Sequence, residues 1–218
     1  MHLNANFDER VVINHHDLPW VASPEAVVER RMLERIGNEV ARATSIVRYQ
    51  AGASFAAHTH DLGEEILVLE GVFSDETGDY PAGSYIANPP GSSHAPRSAT
   101  GCTLFVKLRH LGPDHLEREV VDTLTADWYQ GLVDGLHVMP LMRQGTGSTL
   151  VRWQPNTYFN PHRHFGGEEI FVIEGVFEDE HGRYPQGTWI RSPHLSLHKP
   201  FSKEGCTIFV KTGHLLTA

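Results

Sequence analysis

Cysteine is nearly absent: 218 residues contain only Cys102 and Cys206, 104 positions apart. They form no Cys-x-x-Cys, which excludes a thiolate zinc knuckle. Two buried thiols are the expected state, because a reducing cytosol argues against a bridge. Long apolar runs are also missing. The opening "MHLNANFDERVVINHHDLPW" has no stretch fit for a signal peptide, and no uninterrupted run elsewhere could span a bilayer. The expectation is a cytoplasmic protein with no membrane partner. Positive charge is in short supply: 18 Lys and Arg face 27 Asp and Glu, for a formal net charge of -9. Without a basic stripe to neutralise phosphates, no nucleic-acid partner is expected.

Turn residues, by contrast, are plentiful, with 20 glycines and 13 prolines. Together with 40% hydrophobic and 21% charged residues they describe a globular chain of many short elements. The chain also repeats itself. "HTHDLGEEILVLEGVF" (His58–Phe73) returns 104 residues later as "HRHFGGEEIFVIEGVF" (His162–Phe177). The same offset aligns Val47, Arg48, Gln50 and Phe55 with Val151, Arg152, Gln154 and Phe159, and "GCTLFVK" with "GCTIFVK". No insertion is needed from Ser45 to Leu111, so the repeat is a whole domain. Short runs rich in Val, Ile, Leu, Phe and Tyr, separated by clusters such as "DETGDYPAG", read as strands. The predicted fold is all-β, two tandem jelly rolls (double-stranded β-helices).

"PEAVVERRMLERIGNEVAR" (Pro24–Arg42) has a helix-like apolar spacing, but its counterpart "DGLHVMPLMRQGTG" is broken by Pro140 and several glycines. Both are read as β-hairpins, the first with a tip four residues longer if Trp20 matches Trp128. Residues 1–17 have no partner in the second copy and are read as an arm. Its "RVVIN" either closes a sheet or pairs with a second subunit, which leaves a homodimer open. The domains are placed at residues 18–112 and 128–218, joined by a linker over 113–127.

Residues two apart on a strand share a face, so His58 and His60 project together, as do His162 and His164. Glu64 and Glu168 follow four residues after the second histidine, and His94 and His198 come 30 residues after the glutamate. Three imidazoles and a carboxylate converging inside a barrel make a divalent-metal site. Burying those four groups without a metal would be costly unless each found a hydrogen-bond partner. With 15 histidines in the chain, isolated ones carry little weight. His15, His16, His110, His115, His137, His181 and His214 are expected at the surface. Strand alternation turns Glu65 and Glu169 away, towards solvent or in support of the ligand histidines. Tyr49, Phe55, Tyr85, Tyr158, Phe159 and Trp189 are aromatics that either line the cavities or simply build the core.

The first copy reads Gly52, five residues, His58-x-His60, three residues, Glu64, six residues, Gly71, and then Gly83, five residues, Pro89-x-Gly91, two residues, His94. It resembles the two motifs of the cupin superfamily, with Ser98 where Asn is common. That resemblance implies two cupin barrels with metal on His58, His60, Glu64 and His94, and on His162, His164, Glu168 and His198. The second copy departs at Asn156 and Leu195, which replace glycines, and adds His194 nearby. The wording "EE-x-x-VLEGVF-x-D-x-x-G-x-Y-P-x-G" with "GC-x-x-FVK" is similar to the cupin domain of ChrR-type anti-sigma factors. This implies zinc as the first choice of metal and a role in the response to oxidative stress, with Cys102 and Cys206 as thiols near the site. No His-x-x-x-Cys-x-x-Cys precedes the first copy, which sets sigma-factor binding by this chain alone in doubt.

Two other readings stay open. One is an enzyme using Fe(II), Mn(II) or Ni(II), a dioxygenase, isomerase or hydrolase acting on a small chelating ligand such as a diketone held in the barrel. The other keeps the second copy as a scaffold for a single working site. No general base or nucleophile stands out beyond the ligands, and the substrate is not readable.

Overall fold

The structure, a computed structural model, describes residues 1–23, 27–38, 40–143 and 147–215. Apart from a 3-10 turn at His15–Asp17, its regular elements among the described residues are all strands. The chain divides into two compact units. One comprises Met1–Ala5 and Leu18–Thr125, the other Asn6–Asp17 and the chain from Ala126 onward.

In the first unit a large antiparallel sheet runs, in spatial order, His2–Leu3, Val28–Gly37, Ala41–Tyr49, Cys102–Leu108, Glu64–Asp75, Ser84–Asn88, Glu119–Asp122. The strand Glu64–Asp75 is long enough to serve two sheets. Its first half pairs with Cys102–Leu108 and Ser84–Asn88, and its second half with Gly78–Pro81 and Arg97–Ser98. The short pair His58–His60 and Ser92–His94 lies apart from both. This is a jelly roll, and the second unit repeats it. There Glu168–Asp179 is the shared strand, and His162–Arg163 pairs with Leu197–His198. Each core fills with alternating inward residues, among them Val28, Ile66, Val68, Phe73, Leu104 and Val106 in the first unit. Ile170, Val172, Phe177, Ile190 and Ile208 do the same in the second.

Within the segment 24–42, of which 24–26 and 39 lie outside the described residues, Val28–Gly37 pairs as a hairpin with Ala41–Tyr49 and is not a helix. A bulge between Met32 and Glu34 shifts the alternation by one residue. That shift explains the adjacent apolar pair Met32 and Leu33. The matching hairpin, Leu136–Pro140 against Ser148–Trp153, is shorter.

The arm does have a counterpart. "ERVVIN" (Glu9–Asn14) matches "EREVVD" (Glu117–Asp122) at an offset of 108, not 104. The placement is crossed: Glu119–Asp122, which precedes the second repeat, closes the sheet of the first unit against Ser84–Asn88. Val11–Asn14, which precedes the first repeat, closes the sheet of the second unit against Thr188–Ser192.

The shared strand turns from one sheet to the other next to a bulge, at Gly71 and at Gly175. Both glycines have φ near +73°, and a Cβ at either would stand 2.1 Å from the carbonyl oxygen of Gly101 or Gly205. Gly175→Ala is therefore predicted to cost at least about 2 kcal/mol, lowering the calorimetric Tm by about 4–8 °C. A Tm within about a degree of the parent would show that the bend does not need glycine.

Candidate metal centre

In the first unit the edge pair His58–His60 and Ser92–His94 sets His58 directly opposite His94, and the shared strand begins at Glu64. The Nε2 atoms of His60 and His94 lie 3.0 Å apart, and each is 3.4 Å from Glu64 Oε2. His58 completes the group, the ligand nitrogens of the three histidines all lying within 4.8 Å of one another. In the second unit His198 Nε2 lies 3.1 Å from His164 Nε2 and 3.3 Å from His162 Nε2. Glu168 is 3.2 Å from His164 and 3.6 Å from His198. All eight residues predicted from the sequence thus gather into two clusters.

The donor atoms fit a cation. Ligand atoms about 2.1 Å from one ion and at right angles stand about 3.0 Å from one another. Nδ1 of His58 lies 3.0 Å from the Ala56 carbonyl oxygen, and Nδ1 of His162 lies 2.9 Å from that of Asn160. If each Nδ1–H donates there, the Nε2 lone pair is left facing the cluster. Burial first, and then the neighbouring histidines, hold His60, His164 and His198 down at about 4, so these rings are neutral at pH 7. Burial lowers His94 too. Glu168 Oε2 is buried with no hydrogen-bond partner. Neutral rings with convergent lone pairs and an unpartnered carboxyl oxygen form a donor pocket that a divalent ion, displacing the carboxyl proton, would satisfy.

The two clusters differ behind the carboxylate. Asn88 Nδ2 donates to Glu64 Oε2 at 3.0 Å, and Arg118 Nε holds the Asn88 carbonyl at 2.8 Å. In the second unit the equivalent strand position is Ser192. Burial raises both carboxyls, with Asp179 adding to the effect on Glu168, which is pushed up to about 8; the charge of His94 and then the Asn88 amide work against the rise on Glu64. Arg118 also donates to Asp75 Oδ2 at 2.7 Å, and that oxygen lies 3.6 Å from His94 Nδ1. Burial opposes ionisation of Asp75, but hydrogen bonds from Thr77 and the charge of Arg118 hold it below the ordinary carboxylate range. In the second unit Arg10 plays the same part, donating to Asp179 at 2.9 Å and to Tyr184 at 2.8 Å. Neither arginine was singled out in the sequence. The signal lay in the arm repeat, where Arg10 and Arg118 correspond.

Several expectations are corrected. Glu65 and Glu169 do turn away from the clusters, but they do not reach solvent. Both are buried and accept from Tyr85 Oη at 2.8 Å and Trp189 Nε1 at 3.0 Å. His15, His110, His115 and His214 are buried rather than at the surface, and His214 pairs with Glu169. His194 is turned away, accepting from the Gly166 amide at 2.9 Å. Asn156 and Leu195 keep the positive φ of the glycines they replace, at 61° and 58°, so the turns survive these departures. The thiols of Cys102 and Cys206 are free, buried and pushed up by burial to about 11 and 12, which leaves them protonated.

Each cluster opens on a cavity, of about 440 Å³ in the first unit and about 370 Å³ in the second. Tyr49 and Phe55 line the first, and Trp153 and Phe159 the second. Of the other aromatics named from the sequence, Tyr85 and Trp189 are buried against Glu65 and Glu169, and Tyr158 is exposed. Among the described residues no helix is long and apolar enough to cross a membrane.

The ChrR Cupin-like domain family matches the chain twice, over residues 8–112 and 116–216. No curated protein matches it in sequence. Solved structures share the fold at low identity. Salicylate 1,2-dioxygenase from Pseudoaminobacter salicylatoxidans, solved with gentisate adducts, is 11% identical with a TM-score of 0.70, covering 99% of this chain and 84% of its own. The Escherichia coli pirin YhhW, in complex with nickel(II), is 14% identical with a TM-score of 0.67, covering 94% and 98%. The E. coli protein Ylba is 12% identical with a TM-score of 0.70, covering 95% and 92%.

Glu168 provides a test on metal-free protein. Its folded value of about 8 stands above the ordinary 4.5, so the folded state keeps a proton that the unfolded chain has lost. That contribution to stability is complete below 4.5 and disappears as pH rises through about 8. Burial holds His164 and His198 down at about 4, so in the folded protein these two neighbours of Glu168 do not titrate between about pH 7 and 8.5. The chelated protein is predicted to lose about 1 kcal/mol across this window, or about 2–4 °C of Tm. Glu168→Gln should remove most of that loss, and an equal loss in the variant would refute the assignment.

Proposed function

Because the chain belongs to the ChrR Cupin-like family, we propose that it is a metal-binding bicupin with a regulatory role in a stress response. Each barrel holds one divalent ion, on His58, His60, Glu64 and His94 in the first and on His162, His164, Glu168 and His198 in the second. Zinc is the first choice, and Fe(II), Mn(II) or Ni(II) also suit an imidazole and carboxylate set. A bound ion would supply Lewis acidity to an oxygen of a small molecule in the cavity. The observation that carries this reading is the convergence of three imidazoles and a carboxylate at the wall of a cavity, found twice.

In this reading Asp75 and Arg118 steady the His94 and Glu64 side of the first site, and Asp179 and Arg10 support the second. Outer partners of this kind orient ligands and tune affinity. Thiol oxidation is not the signal, since buried cysteines held at about 11 and 12 offer almost no thiolate. The response is to a ligand or oxidant acting at the metal.

A second reading, a metalloenzyme of the dioxygenase type, is favoured by one observation: both cavities open directly on the imidazoles and are large enough for a small chelating diketone. The two readings separate in one experiment. Protein loaded anaerobically with zinc or with Fe(II) is mixed with acetylacetone, air is admitted, and bound ligand and dioxygen uptake are recorded. The regulatory reading expects binding with no sustained uptake on either metal. Many turnovers of dioxygen uptake on iron would overturn it in favour of the enzyme.

A further inference from the structure

We infer that the first barrel takes a small anionic ligand, a chelating carboxylate, and that Arg30 confers this while the second barrel lacks the equivalent cation. The inference rests on the reading that both cavities carry a metal. Arg30 lies on the strand Val28–Gly37, directly opposite Val47. Its sequence neighbours point the other way: Glu29 receives Arg48 at 2.6 Å, and Arg31 stacks on Trp20 at 4.3 Å. Alternation therefore puts Arg30 on the inner face with Val28, which is in the core. It lines the cavity that also holds His58, His60, Glu64 and His94.

Arg30 is half-buried, and its guanidinium makes no hydrogen bond or ion pair with any described residue. The other arginine at this cavity, Arg109, is held by Asp61. Arg30 is thus the guanidinium at the site whose charge no described carboxylate neutralises. In the second barrel the same rung is Val138, directly opposite Val151. Outside the histidine and glutamate cluster, the described lining of that cavity carries no charged side chain, and its wall is apolar: Leu132, Val138, Val151, Phe159, Ile208.

A guanidinium presents two parallel N–H donors that match a carboxylate, and it stays charged at every physiological pH. A ligand that places one oxygen donor on the ion and a carboxylate on Arg30 would use both features of the first cavity. The same ligand in the second would bury its charge against valine and phenylalanine, which is unfavourable.

The test is titration of oxalate into zinc-loaded protein by calorimetry, with zinc content measured before and after. Wild type is expected to bind one oxalate per chain. Arg30→Val should keep its zinc and lose about ten- to a hundredfold in oxalate affinity, and Arg30→Lys should recover part of it. Val138→Arg should create a second oxalate site. Unchanged affinity in Arg30→Val at full zinc content, or two equal oxalate sites in wild type, would overturn the inference. A wild type that fails to take up zinc would contradict the metal reading itself, and this inference with it.

Discussion

One long strand carries the glutamate of each site, and in the first unit it meets the site from both sides. Glu64–Asp75 starts in the large sheet, where Glu64 faces His60 and His94. It bends at Gly71 and ends in the second sheet, where Asp75 stands behind the other nitrogen of His94. Glu168–Asp179 likewise starts at the glutamate of its cluster and bends at Gly175, and its last residue, Asp179, is held by Arg10. The distance between a candidate ligand and its support is therefore set by the length and bend of a single strand. The remaining imidazoles arrive on short edge strands whose register, His58 opposite His94 and His162 opposite His198, needs only local pairing. A buried cluster built this way is electrostatically expensive when metal-free, as the depressed imidazoles and the raised Glu168 show. Protein interiors tolerate such a concentration of donors where something binds there.

Duplication kept this frame and let its surroundings diverge. Glu64 has an amide donor in Asn88, itself held by Arg118, whereas the equivalent of Asn88 in the second unit is Ser192. Arg30 faces one cavity and Val138 the other. Neither change disturbs the positions of the clustered groups, so two sites with the same inner shell can differ in metal affinity and in what they admit. Solved structures that share the fold at 14% and 11% identity hold a nickel ion in one case and gentisate adducts in the other. The barrel alone does not fix the chemistry.

Most of the fold and both clusters were legible because their signals are local and repeated. The His-x-His pairs, the glutamates and the later histidines sit at fixed spacings on strands that alternate cleanly, and one 104-residue offset carries them all. The arm escaped because four extra residues in the first hairpin shift its offset to 108, and because each arm strand closes the barrel of the other repeat. Pairing partners far apart in sequence leave no local trace. Glu65 and Glu169 were assigned the correct face, but burial on that face depends on what packs over it, which alternation does not encode. The same holds for His15, His110, His115 and His214. Arg30 sits in a hairpin whose apolar spacing looks helical, so the sequence pattern does not mark which of its residues face inward.

The central claim is that each barrel binds one divalent ion through its own three histidines and glutamate. Metal stoichiometry by mass spectrometry on untagged protein, for wild type and for His94→Ala, His198→Ala and the double variant, addresses it most directly. The account predicts about two ions per chain, about one in either single variant and none in the double. Two ions retained in the double variant, or none in wild type supplied with zinc, iron, manganese and nickel, would contradict it.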